Sequence, residues 1–136
     1  MTTSGYSGTP LLKKLGIAEP MKVLLINPPD NYFDLLEHDI HSHLVKKKEK
    51  ADFVHFFVQS NEEFEREMVK LKPVYKANPN LIIWVSWFKK TAGISTNITE
   101  DIIRGYALLN GLVDIKVCAV SEIWSGLKLV VPKAMR

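Results

Sequence analysis

Residues 21–29 read MKVLLINPP, a short apolar run that ends in an asparagine and two prolines. An apolar run of this length predicts a strand that is buried on both faces of a parallel sheet. In nucleotide-binding α/β domains a glycine-rich turn follows the first strand, because glycines let backbone N–H groups approach a phosphate. Pro28 and Pro29 have no N–H to offer, and each fixes its own φ angle. The sequence therefore predicts a nucleotide-type fold that lacks its usual phosphate-binding turn.

The composition indicates one globular domain. The 136 residues leave no room for a second domain, and a hydrophobic fraction of 46% is enough for a core. We expect residues 1–20 to form a leader and a short helix, and residues 21–136 to form a single α/β domain. Cys118 is the only cysteine, which excludes a disulfide framework and a cysteine-based zinc site.

Charge and hydropathy argue against two further classes of protein. The net charge of +3 is too small to indicate nucleic-acid binding. No apolar stretch is as long as a membrane span, and the polar start of the sequence does not resemble a signal peptide. We therefore expect a cytoplasmic protein that contacts neither a membrane nor a nucleic acid.

Hydrophobic patterns predict six strands with helices between them. The predicted strands are residues 22–27, 43–45, 53–58, 81–87, 113–120 and 127–131. His55 alone interrupts the apolar run of the third strand. If residues 81–87 form a regular strand, the side chains of Trp84 and Trp87 point to opposite faces of the sheet.

Helix starts are indicated by capping residues. Ser60 and Glu63 form a capping box at the start of the longest predicted helix. Thr99 is expected to cap the next helix, and Thr9 and Asp30 are expected to cap two short helices earlier in the chain. These assignments place one helix in most of the connections between strands.

The alternation of strands and helices predicts a three-layer, Rossmann-like α/β fold with a mostly parallel sheet. A short connection that contains Gly126 and no helix separates the last two strands, so they are expected to form an antiparallel hairpin. The predicted strand order is 2-1-3-4-6-5, with only the last strand antiparallel to the others.

The layout of residues 22–131 resembles a shortened class I methyltransferase, in which a doubly wound sheet ends in an antiparallel hairpin. That family has a glycine cluster after the first strand and an acidic residue at the end of the second, which holds the ribose of the cofactor. This chain has Asn27, Pro28 and Pro29 at the first position and lysines at residues 46–48 near the second. We therefore expect no cofactor, and specifically neither S-adenosylmethionine nor a dinucleotide bound in the usual mode.

Asn27-Pro28-Pro29 also resembles the Asn-Pro-Pro-aromatic motif of amino-group methyltransferases. In that motif the asparagine holds the target amine and the aromatic ring stacks on the base. Asp30 takes the aromatic position in this chain, and Tyr32 follows two residues later. The favoured interpretation is a rigid turn between the first strand and the following helix.

Short blocks of sequence along the chain carry a second resemblance. The blocks are residues 6–11 (YSGTPL), 14–17 (KLGI), 85–87 (VSW) with the lysines at 89 and 90, 99–101 (TED), 117–120 (VCAV) and 124–129 (WSGLKL). Together they resemble a small bacterial family that is known only as a domain of unknown function. The resemblance implies a bacterial origin and implies no activity.

Two polar clusters allow both a structural and a functional interpretation. His38, His41 and His43 with Asp39 offer imidazoles and a carboxylate, which suit zinc, nickel or copper. Their spacing favours a helix end and an edge strand, so no metal site is predicted, and metal binding stays an open alternative. The basic run at residues 46–50 is expected to be a solvated turn or to protect the sheet edge, and a phosphate or nucleic-acid patch stays an open alternative.

The predicted topology indicates where a ligand would bind. In open parallel sheets, ligands bind outside the carboxyl ends of the strands. Here these ends carry Asn27, Ser86, Trp87, Lys89 and Lys90, which we predict to be ligand-binding residues. The two lysines and the indole suit an acidic group and a flat ring. The loop that follows is polar and long, which fits a ligand contact and equally an ordinary mobile loop. No nucleophile–base pair accompanies these residues, so no catalytic residues are predicted.

Two kinds of function stay open. The double proline and the missing ribose carboxylate favour a non-catalytic binding or regulatory protein on a degenerate methyltransferase-like scaffold, with a protein or small molecule of unknown identity as its partner. The alternative is a small enzyme or ligand-binding domain that uses the loops at the carboxyl ends of the parallel strands. A pocket closed over Asn27, Ser86 and Lys89 would favour that alternative.

Overall fold

The computed structural model describes residues 10–136, so most of the predicted leader and the cap at Thr9 lie outside the described residues. Within this range the chain forms five strands and four α-helices. In chain order these are α1 Leu11–Leu15, β1 Val23–Ile26, α2 Tyr32–Leu36, β2 Phe53–Phe57, α3 Asn61–Ala77, β3 Ile82–Phe88, α4 Glu100–Leu109, β4 Val113–Ala119 and β5 Trp124–Val130.

The five strands form one sheet in the order β1-β2-β3-β5-β4. β1, β2 and β3 pair in parallel, whereas β5 is antiparallel to both of its neighbours, β3 and β4. The predicted α/β class, the mostly parallel sheet and the closing antiparallel hairpin are therefore confirmed.

The predicted strand at residues 43–45 is wrong. His41–His43 forms a 3₁₀ turn, and Leu44 makes only an isolated parallel bridge to Val23 of β1. A second 3₁₀ turn at Lys48–Lys50 follows closely. Because the two turns leave only a few residues extended between them, the chain touches the edge of the sheet without continuing a ladder. The predicted order 2-1-3-4-6-5 is therefore wrong at strand 2, the one predicted for residues 43–45. The other five predicted strands form and lie in the predicted order.

The closing hairpin differs from the prediction in its second strand. β5 begins earlier than predicted, at Trp124, so Gly126 lies inside the strand and not in the connection. A glycine fits this position because a Cβ on Gly126 would lie 3.1 Å from Cε3 of Trp84. In β4, at the edge of the sheet, the register shifts between Asp114 and Lys116, as in a β-bulge.

Helices cover both faces of the sheet, which gives the predicted three layers. α1 and α2 pack on one face, in a core that includes Leu15 and Trp84. α3 and α4 pack on the other face, in a core that includes Phe64 and Trp87. The two tryptophans therefore point to opposite faces, as predicted from their spacing. None of the helices in residues 10–136 is long and apolar enough to cross a membrane.

The helix starts follow most of the predicted capping residues. Ser60 Oγ accepts a hydrogen bond from the backbone N–H of Glu63 at 3.1 Å, while the Glu63 carboxylate accepts from the N–H of Gln59 at 2.7 Å. Thr99 caps α4 through its side chain in the same way. The cap predicted at Asp30 is wrong, because no side chain caps α2 and its N-cap position falls on the next residue.

Candidate ligand-binding groove

A groove of about 710 Å³ lies at the carboxyl end of β3, between the loop that leaves this strand and the start of α4. This is the end of a parallel strand at which α/β sheets usually bind ligands. The lining residues combine aromatic, basic, hydroxyl and acidic side chains. They are Trp87, Phe88, Lys89, Lys90, Thr91, Ile94, Ser95, Thr96, Ile98, Thr99, Glu100, Asp101 and Ser125.

The groove brings together three of the five residues that the sequence predicts to bind a ligand. Trp87, Lys89 and Lys90 line it, whereas Ser86 and Asn27 do not. Ser86 is fully buried, because alternation along β3 turns its side chain away from that of Trp87. Asn27 follows β1, which is separated from β3 by β2, and it is exposed with a left-handed φ of 54°.

The loop that forms one wall of the groove is tied to the start of α3. Thr96 Oγ1 donates to the carbonyl of Gln59 at 2.8 Å. The side chain of Asn97 accepts from the N–H of Asn61 at 2.7 Å and donates to the Glu62 carboxylate at 3.1 Å. These hydrogen bonds fix the loop next to the capped end of α3, so the wall is part of the folded domain.

The floor and rim of the groove differ in character. The floor residue Trp87 is largely buried in the α3–α4 core. The ring of the next residue, Phe88, packs on the opposite face of the sheet, where it stacks on Trp124 with ring centroids 4.3 Å apart. Lys90 is exposed at the rim, and Ile94 exposes 42% of its surface there. The groove thus combines an aromatic floor with a basic and partly apolar rim.

Acidic residues at the start of α4 form the other side of the groove. Glu100 and Asp101 both pair with the guanidinium of Arg104, which also reaches Asp114 of β4 at 2.9 Å. The Asp114 carboxylate, followed by that of Glu100, raises the pKa of Arg104 above its usual value. Arg104 brings one positive charge to three carboxylates, so it offsets only part of the negative charge on this side of the groove. Sequence reasoning missed this cluster, although the spacing of 100, 101 and 104 is one that places side chains together on a helix.

A buried polar network lies beneath α2, on the opposite face of the sheet from Trp87. A 2.9 Å hydrogen bond joins the Tyr32 hydroxyl to Nδ1 of His55, and a 2.7 Å hydrogen bond joins Nε2 of His55 to Oγ of Ser86. All three side chains have no exposed surface. Sequence reasoning did not predict the network, although a histidine inside a fully buried strand needs hydrogen-bond partners.

The hydroxyl of Ser86 beside an imidazole has the geometry of a nucleophile and its base. Burial, however, lowers the pKa of His55 to about 3, so the imidazole is neutral and a weak base. Burial also raises the pKa of the Tyr32 hydroxyl. A neutral imidazole donates from one nitrogen and accepts at the other, so the network can satisfy both neighbours. Its evident role is to join α2, β2 and β3.

The histidines between α2 and β2 do not converge on one point. His41 Nδ1 bonds to the Asp39 carboxylate at 2.7 Å, whereas His43 contacts the Glu19 carboxylate and the Met21 carbonyl, each at 3.0 Å. The backbone N–H of His41 is the largest cause of the lowered pKa of Asp39. Across residues 10–136, no group of three or more histidine, cysteine, aspartate or glutamate side chains is placed to hold a metal ion.

Comparisons with known proteins add little to this description. Neither a protein-family model nor a curated protein matches the sequence. Among solved structures, the chain is similar to a protein in the NADB-Rossmann superfamily from Streptococcus agalactiae, with 9% sequence identity and a TM-score of 0.47. The similarity covers 93% of this chain and 70% of the other. A likeness this distant indicates neither a ligand nor an activity for this chain.

Proposed function

We propose that this chain is a non-catalytic binding protein that holds its ligand in the groove at the carboxyl end of β3. The observation that carries the proposal is the convergence of Trp87, Lys89 and Lys90 on this one groove. On this proposal the scaffold is a methyltransferase-like one of bacterial, cytoplasmic origin, in which the turn after β1 no longer serves a cofactor.

The chemistry of the groove favours a ligand that has an acidic group next to a flat apolar ring. The rim supplies the ammonium groups of Lys89 and Lys90, which suit a carboxylate or phosphate. The floor supplies aromatic surface from Trp87, on which a ring can pack. The carboxylates of Glu100 and Asp101 on the other side disfavour a second negative charge at that end.

The buried position of Ser86 counts against the enzyme alternative. A hydrolytic enzyme would need the Ser86–His55 pair to meet its substrate, and neither side chain has exposed surface. The sequence indicated that a pocket closed over Asn27, Ser86 and Lys89 would favour an enzyme. Of these three residues, only Lys89 lines the groove. These two observations support the binding proposal over the enzyme.

Isotope-edited NMR tests the proposal with a small aromatic acid. Indole-3-acetate is titrated into labelled protein, with indole as the uncharged control. We expect shifts at the amides of residues 87–96 with the acid, and much smaller shifts with indole. Lys90→Glu should weaken binding by about tenfold or more, because it replaces an attraction by a repulsion. Lys47→Glu makes the same charge change at an exposed site elsewhere and should have no effect.

Two outcomes would contradict the proposal. One is that the acid shifts no amide along the groove, or that Lys47→Glu weakens binding as much as Lys90→Glu. The other is covalent labelling of the wild-type protein, but not of Ser86→Ala, by a fluorophosphonate probe. Such labelling would require Ser86 to be an accessible, activated nucleophile and would favour the enzyme.

A further inference from the structure

Three lysines come together where the closing hairpin meets α1. Lys116 of β4 and Lys128 of β5 are direct cross-strand partners. Lys128 also pairs in register with Trp84 of β3, so both lysines lie on the face that α1 covers. Lys14 of α1 completes what we call the lysine cluster. Like charges directly opposite each other on two strands are destabilising, so this arrangement has a cost to the fold.

Contacts of the Lys116 and Lys128 side chains show how closely they approach the end of α1. Lys116 Nζ donates to the carbonyl of Lys14 at 2.9 Å. Lys128 Nζ lies beside Gly16, 3.8 Å from the point where a Cβ would stand. A structural role in capping α1 therefore accounts for one donor of one ammonium group. An ammonium has three donors, so most of the donors in the lysine cluster are left to solvent or to a ligand.

Within the described part of the chain, no carboxylate forms an ion pair with these lysines. Burial, followed by the nearby charge of Lys116, lowers the pKa of Lys128. The fold thus holds a partly desolvated cation against a second cation, which is the arrangement that a bound anion would stabilise.

The thiol of Cys118 in the closing hairpin is sensitive to the charge of the lysine cluster. It lies two residues beyond Lys116 on β4 and is partly buried against the α1–α2 core. Burial raises the pKa of its thiol, while the charges of Lys14, Lys116 and, beyond the lysine cluster, Lys89 act in the opposite direction. A change in the charge of the lysine cluster should therefore change the reactivity of Cys118.

We propose that the lysine cluster is a binding site for a small molecule that carries a phosphate group. A phosphate is close to doubly charged at neutral pH and presents several acceptor oxygens, which matches neighbouring cations that have unused donors. A single carboxylate would offset less of the charge. The site lies where α1 meets the hairpin, and the groove is built around the start of α4, so this proposal does not depend on the function proposed above.

Alkylation of Cys118 by neutral iodoacetamide tests the site, because the chain has 1 cysteine. Inorganic phosphate should slow the reaction relative to sodium chloride at equal ionic strength. A bound phosphate would lower the positive potential at the thiol and so raise the pKa of Cys118. A rise of about 0.5 lowers the thiolate fraction about threefold at a pH below that pKa. Glucose 6-phosphate should slow the reaction as well, and glucose should not. Protection by inorganic phosphate alone would identify free phosphate as the ligand.

Matched variants separate binding at the lysine cluster from general screening. Lys116→Gln and Lys128→Gln should remove the protection by phosphate, whereas Lys47→Gln should retain it. Amide shifts of the wild-type protein at residues 14–16 and 116–128 provide a second measurement that does not rely on a variant. The proposal is overturned if phosphate protects no better than chloride, if Lys47→Gln behaves like Lys116→Gln, or if phosphate shifts amides elsewhere only.

Discussion

The indole of Trp84 lies directly against the backbone of Gly126 on the neighbouring strand. A Cβ added to Gly126 would stand 3.1 Å from Cε3 of Trp84 and 3.0 Å from Cγ2 of Val120. The indole has little freedom to retreat, because its Nε1 donates to the carbonyl of Leu15 at 2.9 Å. The contact therefore joins β3, β5 and α1 at one point.

We expect Gly126→Ala to lower the free energy of unfolding by about 1–3 kcal/mol, the usual cost of overpacking a core. Gly105→Ala is the matched control, because no heavy atom lies within 4 Å of its added Cβ. Gly105 lies inside α4, where alanine is favoured, so this variant should gain about 0.5–1 kcal/mol. Urea denaturation measures both, and equal effects would contradict the packing argument.

Removing the indole of Trp84 should lower the free energy of unfolding more than Gly126→Ala does. Trp84 has no exposed surface, so Trp84→Ala is expected to lower the free energy of unfolding by about 3–5 kcal/mol. A loss of that size threatens a domain whose whole stability is of order 5–15 kcal/mol. Chemical denaturation checks the value, and a much smaller loss would place Trp84 outside the core.

A pair of phenylalanine variants isolates the hydrogen bond of Trp84. Trp84→Phe leaves the carbonyl of Leu15 without its donor, whereas the buried Nε1 of Trp124 has no acceptor within residues 10–136. Trp84→Phe should therefore be less stable than Trp124→Phe by roughly 1–3 kcal/mol. The reverse order would show that the hydrogen bond contributes little.

The stability of the domain should fall in mild acid because of His55. Its pKa is about 3 in the folded chain, below the ordinary histidine value of 6.5 that applies when the chain is unfolded. The unfolded state therefore binds a proton first, and stability that is complete above pH 6.5 is lost as the pH falls from there toward 3. We expect a slope of roughly 1.4 kcal/mol per pH unit across the middle of this window.

Urea denaturation at a series of pH values measures this slope. His55→Gln has no titrating group and should flatten the slope between pH 6.5 and the range where carboxylates titrate. His38→Gln removes an exposed histidine and should leave the wild-type slope unchanged. A wild-type slope in His55→Gln would assign the acid sensitivity to other groups.

S-adenosylmethionine, its demethylated product and NADP should not bind in isothermal titration. These ligands need backbone donors from the turn after the first strand, and Pro28 and Pro29 have none. Asn27 follows β1 in a left-handed conformation, and a backbone hydrogen bond in the turn runs from the N–H of Tyr32 to the carbonyl of Pro29 at 3.0 Å. Micromolar binding that is abolished by mutation of Asn27 would contradict this expectation.

The parts of the fold that the sequence predicted correctly are those where local pattern and tertiary packing agree. Apolar runs identified β1, β2 and β3, and the capping residues Ser60 and Thr99 identified the starts of α3 and α4. The error at residues 43–45 arose because a short extended segment carries no pattern that separates a strand from two 3₁₀ turns. The start of β5 was missed because Gly126 resembles a turn residue, and only its contact with Trp84 explains it.

The site was predictable in outline and not in detail. Topology placed Trp87, Lys89 and Lys90 at the end of a parallel strand, where the groove is found. The buried hydrogen bond of Ser86 could not be predicted from the sequence alone. Its partner His55 lies on another strand, and the two side chains meet only when β2 and β3 pair. The lysine cluster depends in the same way on the register between β4 and β5.

The place of β5 in the sheet has a consequence for how the chain is made. β5 follows β4 in sequence but lies between β3 and β4, and within residues 10–136 β4 pairs with β5 alone. During synthesis, β4 therefore leaves the ribosome before its neighbour exists. Until residues 124–130 emerge, β3 and β4 each present an unpaired edge that other chains can join. A translational pause between these two strands would lengthen that interval and increase aggregation of the nascent protein.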